Sequence, residues 1–200
     1  MVEVAGRRIA QGIFRDVTER ERIAQELESL SLSDPLTHLR NRRGFRMLAE
    51  QQLKTAARLG RPLLLLFADI DGLKPVNDVF GHAAGDQLLC EAAQLLVRNF
   101  RDMDIVARMG GDEFAVLQID VGSDDARTVM ERLAAAVAAV NGAPGRARRL
   151  SLSVGAAAFD PLVPCTVDEL LHVADKRMYA VKARRKARAT DAATSADPGA

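Results

Sequence analysis

This 200-residue chain has few cysteines and almost no net charge. Its two cysteines are Cys90 and Cys165, and Lys plus Arg (28) nearly balances Asp plus Glu (27). So few thiols argue against a disulfide framework and a cysteine-rich zinc site, which favours a reducing, cytoplasmic setting. A formal net charge of +1 gives no reason to expect a general nucleic-acid or membrane-surface binder.

Long apolar runs are missing as well. The longest strongly apolar run, residues 63–68, is far too short to span a bilayer. Polar residues such as Arg7, Arg8 and Gln11 interrupt the N-terminus, where a signal peptide would need an apolar core. We therefore expect no membrane contact in this segment, although a longer parent protein could carry an anchor. Hydrophobic residues still make up 48% of the chain, enough for the core of one full domain.

The pattern along the chain divides it into four segments. Residues 1–17 resemble the last strands of a truncated domain, with a turn near Gly6. Residues 18–33 predict a helix with one apolar face, which is either a signalling helix that pairs in a dimer or a plain linker helix. Residues 34–187 form the main domain, and the small, polar tail 188–200 is expected to be disordered.

Helical and strand patterns alternate through the main domain. The predicted helices cover 42–59, 86–99, 123–140 and 167–185, and the predicted strands cover 63–70, 105–109, 113–119 and 150–159. A polar loop is expected over 71–85, and Gly110-Gly111 predicts a tight hairpin. This order favours an α/β (α+β) sandwich whose central sheet is mainly antiparallel and flanked by helices.

Two acidic motifs stand at the ends of predicted strands. Asp69 and Asp71 end the apolar strand, and carboxylates held by a strand end are a recurrent way to bind a hard cation. Asp112 and Glu113 follow the Gly-Gly turn, where neighbouring side chains face opposite ways. Taken alone, the first motif is better explained as a loop acid or helix cap, and the second also fits an ordinary turn with solvated acids.

A third polar group lies in the loop 71–85 and just beyond it. A carboxylate can accept hydrogen bonds from the N1–H and the amine of guanine, and an amide can meet the acceptor edge of the base. Glycines allow the backbone to approach phosphate closely. The alternative for Asp86 is capping of the helix that follows. The group comprises Lys74, Asn77, Asp78, Gly81, His82, Gly85 and Asp86.

Together these motifs resemble the GGDEF family of diguanylate cyclases, over about residues 34–186. The matching residues are Asp34-Pro35-Leu36-Thr37, Asn41-Arg42, Asp69-Ile70-Asp71, Lys74, Asn77-Asp78, Gly81-His82, Gly85-Asp86, Gly110-Gly111-Asp112-Glu113-Phe114, Ser153-Val154-Gly155, Ala174-Asp175, Met178-Tyr179 and Lys182. Separately, residues 15–20 resemble the exit from a PAS sensor domain. That resemblance implies an upstream sensor domain in the parent protein.

The family resemblance implies a palm-like fold, with the GGDEF motif on a β-hairpin, and a specific reaction. Two GTP molecules, one in each domain of a homodimer, would be condensed to cyclic di-GMP and pyrophosphate. Asp69, Asp112 and the backbone carbonyl of Ile70 would hold Mg²⁺ (or Mn²⁺), and Glu113 would shape that site or assist proton removal.

The resemblance also implies how the substrate is held. Asn77 and Asp86 would bind guanine, and the backbone near residues 71–73 would hold the triphosphate together with two lysines. The full set of substrate-binding residues is Gly72, Leu73, Lys74, Asn77, Asp78, His82, Asp86, Lys182 and Lys186. Leu73 stands where the family usually has Phe, and Arg185-Lys186 stand where it often has Gly-Arg.

A second site is implied by Arg101 and Asp104. In many family members an Arg-x-x-Asp motif that ends five residues before the Gly-Gly pair binds the product and inhibits the enzyme, and this spacing is met here. The alternative is a surface ion pair. Three other functions remain open: a catalytically silent GTP or cyclic di-GMP receptor, a related cyclase with a mononucleotide product, and a structural dimerisation unit. The presence of both Asp112 and Glu113 favours catalysis.

Overall fold

The computed structural model describes residues 2–4, 7–9, 31–146 and 148–195, which fall into two units, Met1–Ser31 and Leu32–Ala200. In the first unit, β1 (Val2–Val4) pairs antiparallel with β2 (Arg7–Ile9), in keeping with the predicted extended chain. The predicted linker helix and the PAS-like segment 15–20 lie outside the described residues. No helix in the described ranges is both long and apolar enough to cross a membrane.

The second unit is a four-stranded antiparallel sheet with helices packed on it, as predicted. Its strand order is β4-β5-β3-β6. Along the chain the elements are α1 (Arg42–Leu59), β3 (Leu63–Ile70), α2 (Leu73–Phe80), α3 (His82–Asn99), β4 (Ile105–Gly110), β5 (Glu113–Ile119), a 3-10 turn (Ser123–Asp125), α4 (Ala126–Asn141), β6 (Leu152–Phe159) and α5 (Val167–Ser195).

All eight side chains of β3 are buried, because the sheet carries a core on each face. Leu64 and Leu66 belong to the core shared with α3 and α4, whereas Leu65 and Phe67 belong to the core shared with α1 and α5. Successive side chains of a strand point to opposite faces. Asp69 therefore falls on the face that α1 and α5 cover.

The prediction of a polar loop over residues 71–85 is wrong, because most of that segment is helical. Helix α2 fills residues 73–80 and α3 begins at His82. Gly81, with φ 80°, separates the two helices, and its N–H donates to the carbonyl of Asn77. The helix is short and mostly exposed, and its proline, asparagine and aspartate are residues typical of loops, so its pattern does not distinguish it from a loop. Asp86 lies inside α3, so its alternative role as the helix cap is also wrong.

The last helix is longer than predicted, and this corrects the disordered tail expected from residue 188. α5 runs to Ser195, ten residues beyond the predicted end at Arg185. Alanine, arginine and lysine dominate that stretch, and all three have high helix propensity. After Arg185, proline and glycine first appear beyond Ser195.

Helix α5 lies directly on β6 at Gly155. A Cβ atom at this position would collide with the backbone of α5, at the carbonyl oxygen of Ala174 and the amide nitrogen of Met178. Ala174 and Met178 are both buried. Because one helical turn separates Met178 from Lys182, this close approach determines where the lysine meets the sheet.

A polar clamp joins the start of the second unit to the Gly-Gly turn. Asp34 accepts hydrogen bonds from the N–H and Oγ1 of Thr37 at 2.8 and 2.7 Å, and Arg108 Nη1 lies 3.2 Å from its Oδ2. The same guanidinium donates from Nε and Nη2 to the carbonyl of Gly111 at 3.0 and 2.8 Å. Burial raises the pKa of Asp34, but the Thr37 hydrogen bonds and Arg108 outweigh it and lower the pKa below its ordinary value.

Replacing Gly155 by alanine should destabilise the domain by about 1–3 kcal/mol, because α5 must move away from β6 to admit the methyl group. Urea unfolding measures this loss. Gly142→Ala is the matched control, since its Cβ would meet its nearest neighbours at 3.5 Å and should change stability by no more than about 0.5 kcal/mol. Equal stabilities for the two variants would contradict the close contact.

Replacing Asp34 by asparagine should cost about 1–3 kcal/mol at neutral pH, since Arg108 would lose its charged partner. The folded-state pKa of Asp34 is lowered, so the ionised carboxylate stabilises the fold above the unfolded-state pKa, and this is lost as pH falls through the folded-state pKa. The gap between wild type and Asp34→Asn should therefore be constant from about pH 5 to 7 and shrink below about pH 4. A gap that widened on acidification would contradict the clamp; exposed Asp124 provides the control substitution, Asp124→Asn.

Candidate active site at the ends of β3 and β5

The site is centred on Asp69 at the end of β3. This residue pairs with Glu113 on β5 and with Ser153 on β6, and its exposed fraction is 5%. Directly opposite residues of an antiparallel pair project from the same face of the sheet. Asp69 and Glu113 therefore lie side by side under α1 and α5.

The Gly-Gly turn brings Asp112 to the same place. Gly110 and Gly111 have φ values of 137° and 53°, which confirms the positive φ values expected for a tight hairpin turn. The carbonyl of Asp112 accepts a hydrogen bond from the N–H of Ile70 at 3.0 Å. The turn is thereby attached to the end of β3, with Asp112 next to Asp69 and Ile70.

Lys182 of α5 reaches Asp69 on the face of the sheet that α5 covers. Its Nζ donates to Asp69 Oδ1 at 2.6 Å. Burial, with help from the charges of Asp112 and Asp71, raises the pKa of Asp69 despite the lysine. Burial lowers the pKa of Lys182, but its hydrogen bond to Asp69 and the three acidic charges raise it overall. The cluster therefore holds more negative charge than one ammonium group balances.

Asp71 is tied to β6 and α5 rather than facing the other acids. Its carboxylate accepts hydrogen bonds from the hydroxyls of Ser151 and Ser153, each at 2.7 Å, and from Arg185 Nη1 at 2.8 Å. Arg185 also donates to the carbonyl of Leu152 at 2.7 Å. Neither Ser151 nor Arg185 was predicted from the sequence to belong to the site. The two-residue spacing of the serines, one just before β6 and one within it, was the available signal.

Arg42 holds the other side of the hairpin. Its Nε donates to the carbonyl of Met109 at 3.0 Å, and its Nη2 lies 3.5 Å from Glu113 Oε2. Burial raises the pKa of Glu113, Arg42 opposes this, and the nearby charges of Asp112, Asp175 and Asp69 add to it. In the sequence Arg42 was only a residue that matched the family, and no role was predicted for it.

The donor set suits a hard cation. In residues 31–146 and 148–195 no three His, Cys, Asp or Glu side chains could hold a metal ion by themselves. Mg²⁺, however, commonly uses one or two carboxylates, with substrate phosphates and water completing its shell. Asp69, Asp112 and the carbonyl of Ile70 offer that kind of oxygen set, and the excess negative charge favours a cation there.

Asn77 and Asp86 are brought together by the packing of α2 against α3. A Cβ atom at Gly85 would collide with the side-chain amide of Asn77, so only glycine allows this approach. Among the described residues, Asn77 Oδ1 has no hydrogen-bond partner although it is buried. Asp86 follows Gly85 directly and is exposed. The contact between the two helices thus fixes the amide of Asn77 next to Gly85, and the carboxylate that follows Gly85 faces solvent.

The remaining predicted substrate residues flank the acidic cluster. Gly72, with φ 77°, precedes α2, and Leu73 and Lys74 form its first turn. The first amides of a helix have no intrahelical partner and suit an anion. Lys186 lies one turn beyond Lys182 on α5. Asp78 and His82 are exposed at the α2–α3 connection.

At the predicted product site, Asp104 binds backbone amides and not the side chain of Arg101. Asp104 is buried, and its two carboxylate oxygens accept backbone hydrogen bonds, from Arg101 N at 2.9 Å and Ile119 N at 3.1 Å. In the described chain no side-chain ion pair joins Arg101 to Asp104, so the alternative of a surface ion pair is wrong. Arg101 is exposed and lines a cleft of about 600 Å³ together with Arg40 and Val106.

Comparisons with known proteins identify the family. The family model "Diguanylate cyclase, GGDEF domain" matches residues 31–188. The chain is 36% identical over 182 residues to the probable diguanylate cyclase DgcE of Escherichia coli K12, covering 89% of this chain and 16% of that protein. It is 39% identical over 165 residues to the bifunctional diguanylate cyclase/cyclic di-GMP phosphodiesterase MucR of Pseudomonas aeruginosa, covering 82% and 24%. The chain thus spans a quarter or less of the length of these two relatives.

Solved structures agree with this assignment. The GGDEF domain of TpbB (or YfiN) from Pseudomonas aeruginosa superposes with a TM-score of 0.69 at 37% identity, covering 76% of this chain and 89% of that one. The coiled coil and GGDEF domain of DgcB from Caulobacter crescentus, solved with cyclic di-GMP, gives a TM-score of 0.68 at 27% identity, covering 83% and 90%. The chain therefore belongs to the GGDEF family of diguanylate cyclase domains.

Proposed function

We propose that this domain condenses two molecules of GTP into cyclic di-GMP and releases two molecules of pyrophosphate. The observation that carries the proposal is the meeting of Asp69, Asp112 and Lys182 at the end of β3. The hydrogen bond between Lys182 and Asp69 at 2.6 Å joins the sheet to the helix at this point. A cation-binding acidic pair next to a base-reading pair is what a nucleotidyl transfer requires.

Guanine would be recognised by Asn77 and Asp86. The exposed carboxylate of Asp86 can accept from the N1–H and the amine of guanine, whereas adenine offers no donor at N1. The side-chain amide of Asn77 would donate to the acceptor edge of the same base. Asp78 and His82 would line the same nucleotide cleft.

The triphosphate would lie over the start of α2. The amides that follow Gly72, at Leu73 and Lys74, would donate to phosphate oxygens. Lys74, Lys182 and Lys186 would supply positive charge from two directions. Lys186 stands where the family often has arginine. Its ammonium group is a point charge and cannot make the bidentate contact with phosphate that arginine makes.

Divalent ions would be held by Asp69, Asp112 and the Ile70 carbonyl, with Mg²⁺ (or Mn²⁺) as the expected metal. When bound, such ions neutralise charge on the phosphates and lower the pKa of the attacking hydroxyl. Glu113, positioned by Arg42, would shape this site or accept the proton of that hydroxyl.

The reaction requires a second copy of the domain. In each half, the ribose 3′-oxygen of one GTP bonds to the α-phosphorus of the other, the bond to the β-phosphate breaks, and pyrophosphate leaves. Each domain would bind one GTP, so a homodimer must bring two sites face to face. Pairing through the predicted helix of residues 18–33 would raise the effective concentration of the domains, under control of an upstream sensor in the parent protein.

Product inhibition would act through Arg101 and Asp104. The exposed guanidinium of Arg101 can stack on guanine and fork onto phosphate. Asp104 uses each oxygen for a backbone hydrogen bond, which holds Arg101 in place and leaves a second lone pair on each oxygen for guanine.

Replacing Asp112 by asparagine should reduce formation of cyclic di-GMP from GTP and Mg²⁺ by about 10²–10³-fold, because one carboxylate of the cation site is removed while the shape is kept. Products are separated by chromatography, and Asp124→Asn is the control, since exposed Asp124 lies beyond the opposite end of β5 from Asp112. A folded wild-type dimer that retains GTP or cyclic di-GMP without turning over would instead support the silent receptor.

Replacing Arg101 by alanine should raise the concentration of cyclic di-GMP that halves the rate by about 10–100-fold, as expected from losing hydrogen bonds to a charged group. Initial rates at increasing product concentration measure it. Arg98→Ala, which changes an exposed arginine in the last turn of α3, should leave inhibition unchanged. The same inhibition in Arg101→Ala and wild type would exclude Arg101 from the product site.

A further inference from the structure

The cation site contains a positive charge supplied by the chain itself. Lys182 Nζ lies 2.6 Å from Asp69 Oδ1, and the exposed fractions of the two side chains are 40% for the lysine and 7% for the aspartate. At that distance the ammonium group occupies one side of the carboxylate that a metal ion would also use. The lysine side chain nevertheless remains open to solvent, so it can leave without disturbing the core.

Helix α5 is fixed on both sides of Lys182. Before it, Ala174 and Met178 touch the backbone of Gly155 so closely that no Cβ atom would fit between them. After it, Arg185 donates to Asp71 and to the carbonyl of Leu152 at 2.8 and 2.7 Å. The backbone of Lys182 is therefore held in place, and only rotation of its four-carbon side chain can move the charge.

Binding a metal ion to Asp69 while this ammonium group stays there costs free energy. A divalent cation on the same carboxylate would sit within about 4 Å of Nζ, where two positive charges in a partly buried site repel strongly. A triphosphate removes this repulsion, because it offers the lysine an anionic partner other than Asp69. Metal and nucleotide would then each favour binding of the other, and such coupling is reciprocal.

We propose that Lys182 is the built-in counter-cation of Asp69 in the nucleotide-free domain, and that its side chain must turn to the triphosphate before a divalent cation can bind Asp69 well. The inference rests on the proposed function, since it assumes a triphosphate and a divalent cation as the ligands. It makes the resting domain a poor binder of metal alone. It also gives Lys182 two successive partners, where a lysine that only binds phosphate has one.

A measurement of metal binding without nucleotide distinguishes a lysine that first pairs with Asp69 from a lysine that only binds phosphate. Mn²⁺ is titrated into the full chain at pH 7 without GTP, and the free hydrated ion is followed by electron paramagnetic resonance. Lys182→Met should bind Mn²⁺ about tenfold more tightly than wild type, because a competing positive charge is gone. Lys176→Met, an exposed lysine on the same helix, is the control and should match wild type. An unchanged or weaker affinity in Lys182→Met would overturn the proposal.

A second variant distinguishes a change in metal affinity from a failure of Lys182→Met to fold. Lys182→Gln removes the charge but keeps a hydrogen-bond donor for Asp69. The increase in melting temperature caused by saturating Mn²⁺ is compared in wild type, Lys182→Gln and Lys176→Met. A larger increase in Lys182→Gln supports the counter-cation role, whereas equal increases overturn it.

Failure of the proposed function would be recognised separately. It appears as a wild-type protein that makes no cyclic di-GMP from GTP and Mg²⁺, while the nucleotide-free Mn²⁺ titration still gives its own answer. Conversely, an active wild type whose Mn²⁺ affinity is unaffected by Lys182→Met retains the cyclase and loses only the counter-cation role.

Discussion

A carboxylate held almost out of solvent at the end of a fully buried strand is the constraint on which this domain depends. Asp69 cannot turn away, because its neighbours on β5 and β6 enclose it and its exposed fraction is 5%. A buried carboxylate is costly unless it is paired or binds a cation. The hydrogen bond from Lys182 offsets this cost, and we propose that a metal ion does so when substrate is present.

The rest of the fold determines what reaches that carboxylate. The contact at Gly155 and the hydrogen bonds of Arg185 place α5, and the clamp between Asp34 and Arg108 places the Gly-Gly turn. The first contact joins a helix to a strand, and the other two attach the residues after β3 and the Gly-Gly turn to α5 and β4. Catalytic groups carried in this way are positioned more accurately than groups on free loops, which suits a reaction that depends on alignment of two nucleotides.

The sequence predicted the parts of this domain whose signals are local. The buried strand ending at Asp69 and the Gly-Gly hairpin have strong short-range patterns, and the structure has both. Helix α2 was missed because it is short and contains proline, asparagine and aspartate between two glycines, which are residues typical of loops, and the end of α5 was missed because small, polar residues suggested disorder. The ranges of both helices therefore came only from the structure.

Contacts between residues far apart in sequence were beyond the reach of local patterns. The Arg185–Asp71 hydrogen bond spans 114 positions and the Arg42–Met109 hydrogen bond spans 67, so no periodicity reveals either. Asp104 is a related case, since its motif predicted a ligand and the structure adds a backbone-binding role. Metal binding, dimerisation and product inhibition stay predictions that rest on the chemistry of the residues.

The most direct test of the central claim is a crystal structure of the full chain with Mg²⁺ and a GTP analogue whose α-phosphate cannot be attacked. We expect metal density between the carboxylates of Asp69 and Asp112, guanine against Asn77 and Asp86, and Lys182 on the phosphates rather than on Asp69. A nucleotide bound elsewhere, or bound with Lys182 still on Asp69 and no metal beside it, would contradict that claim.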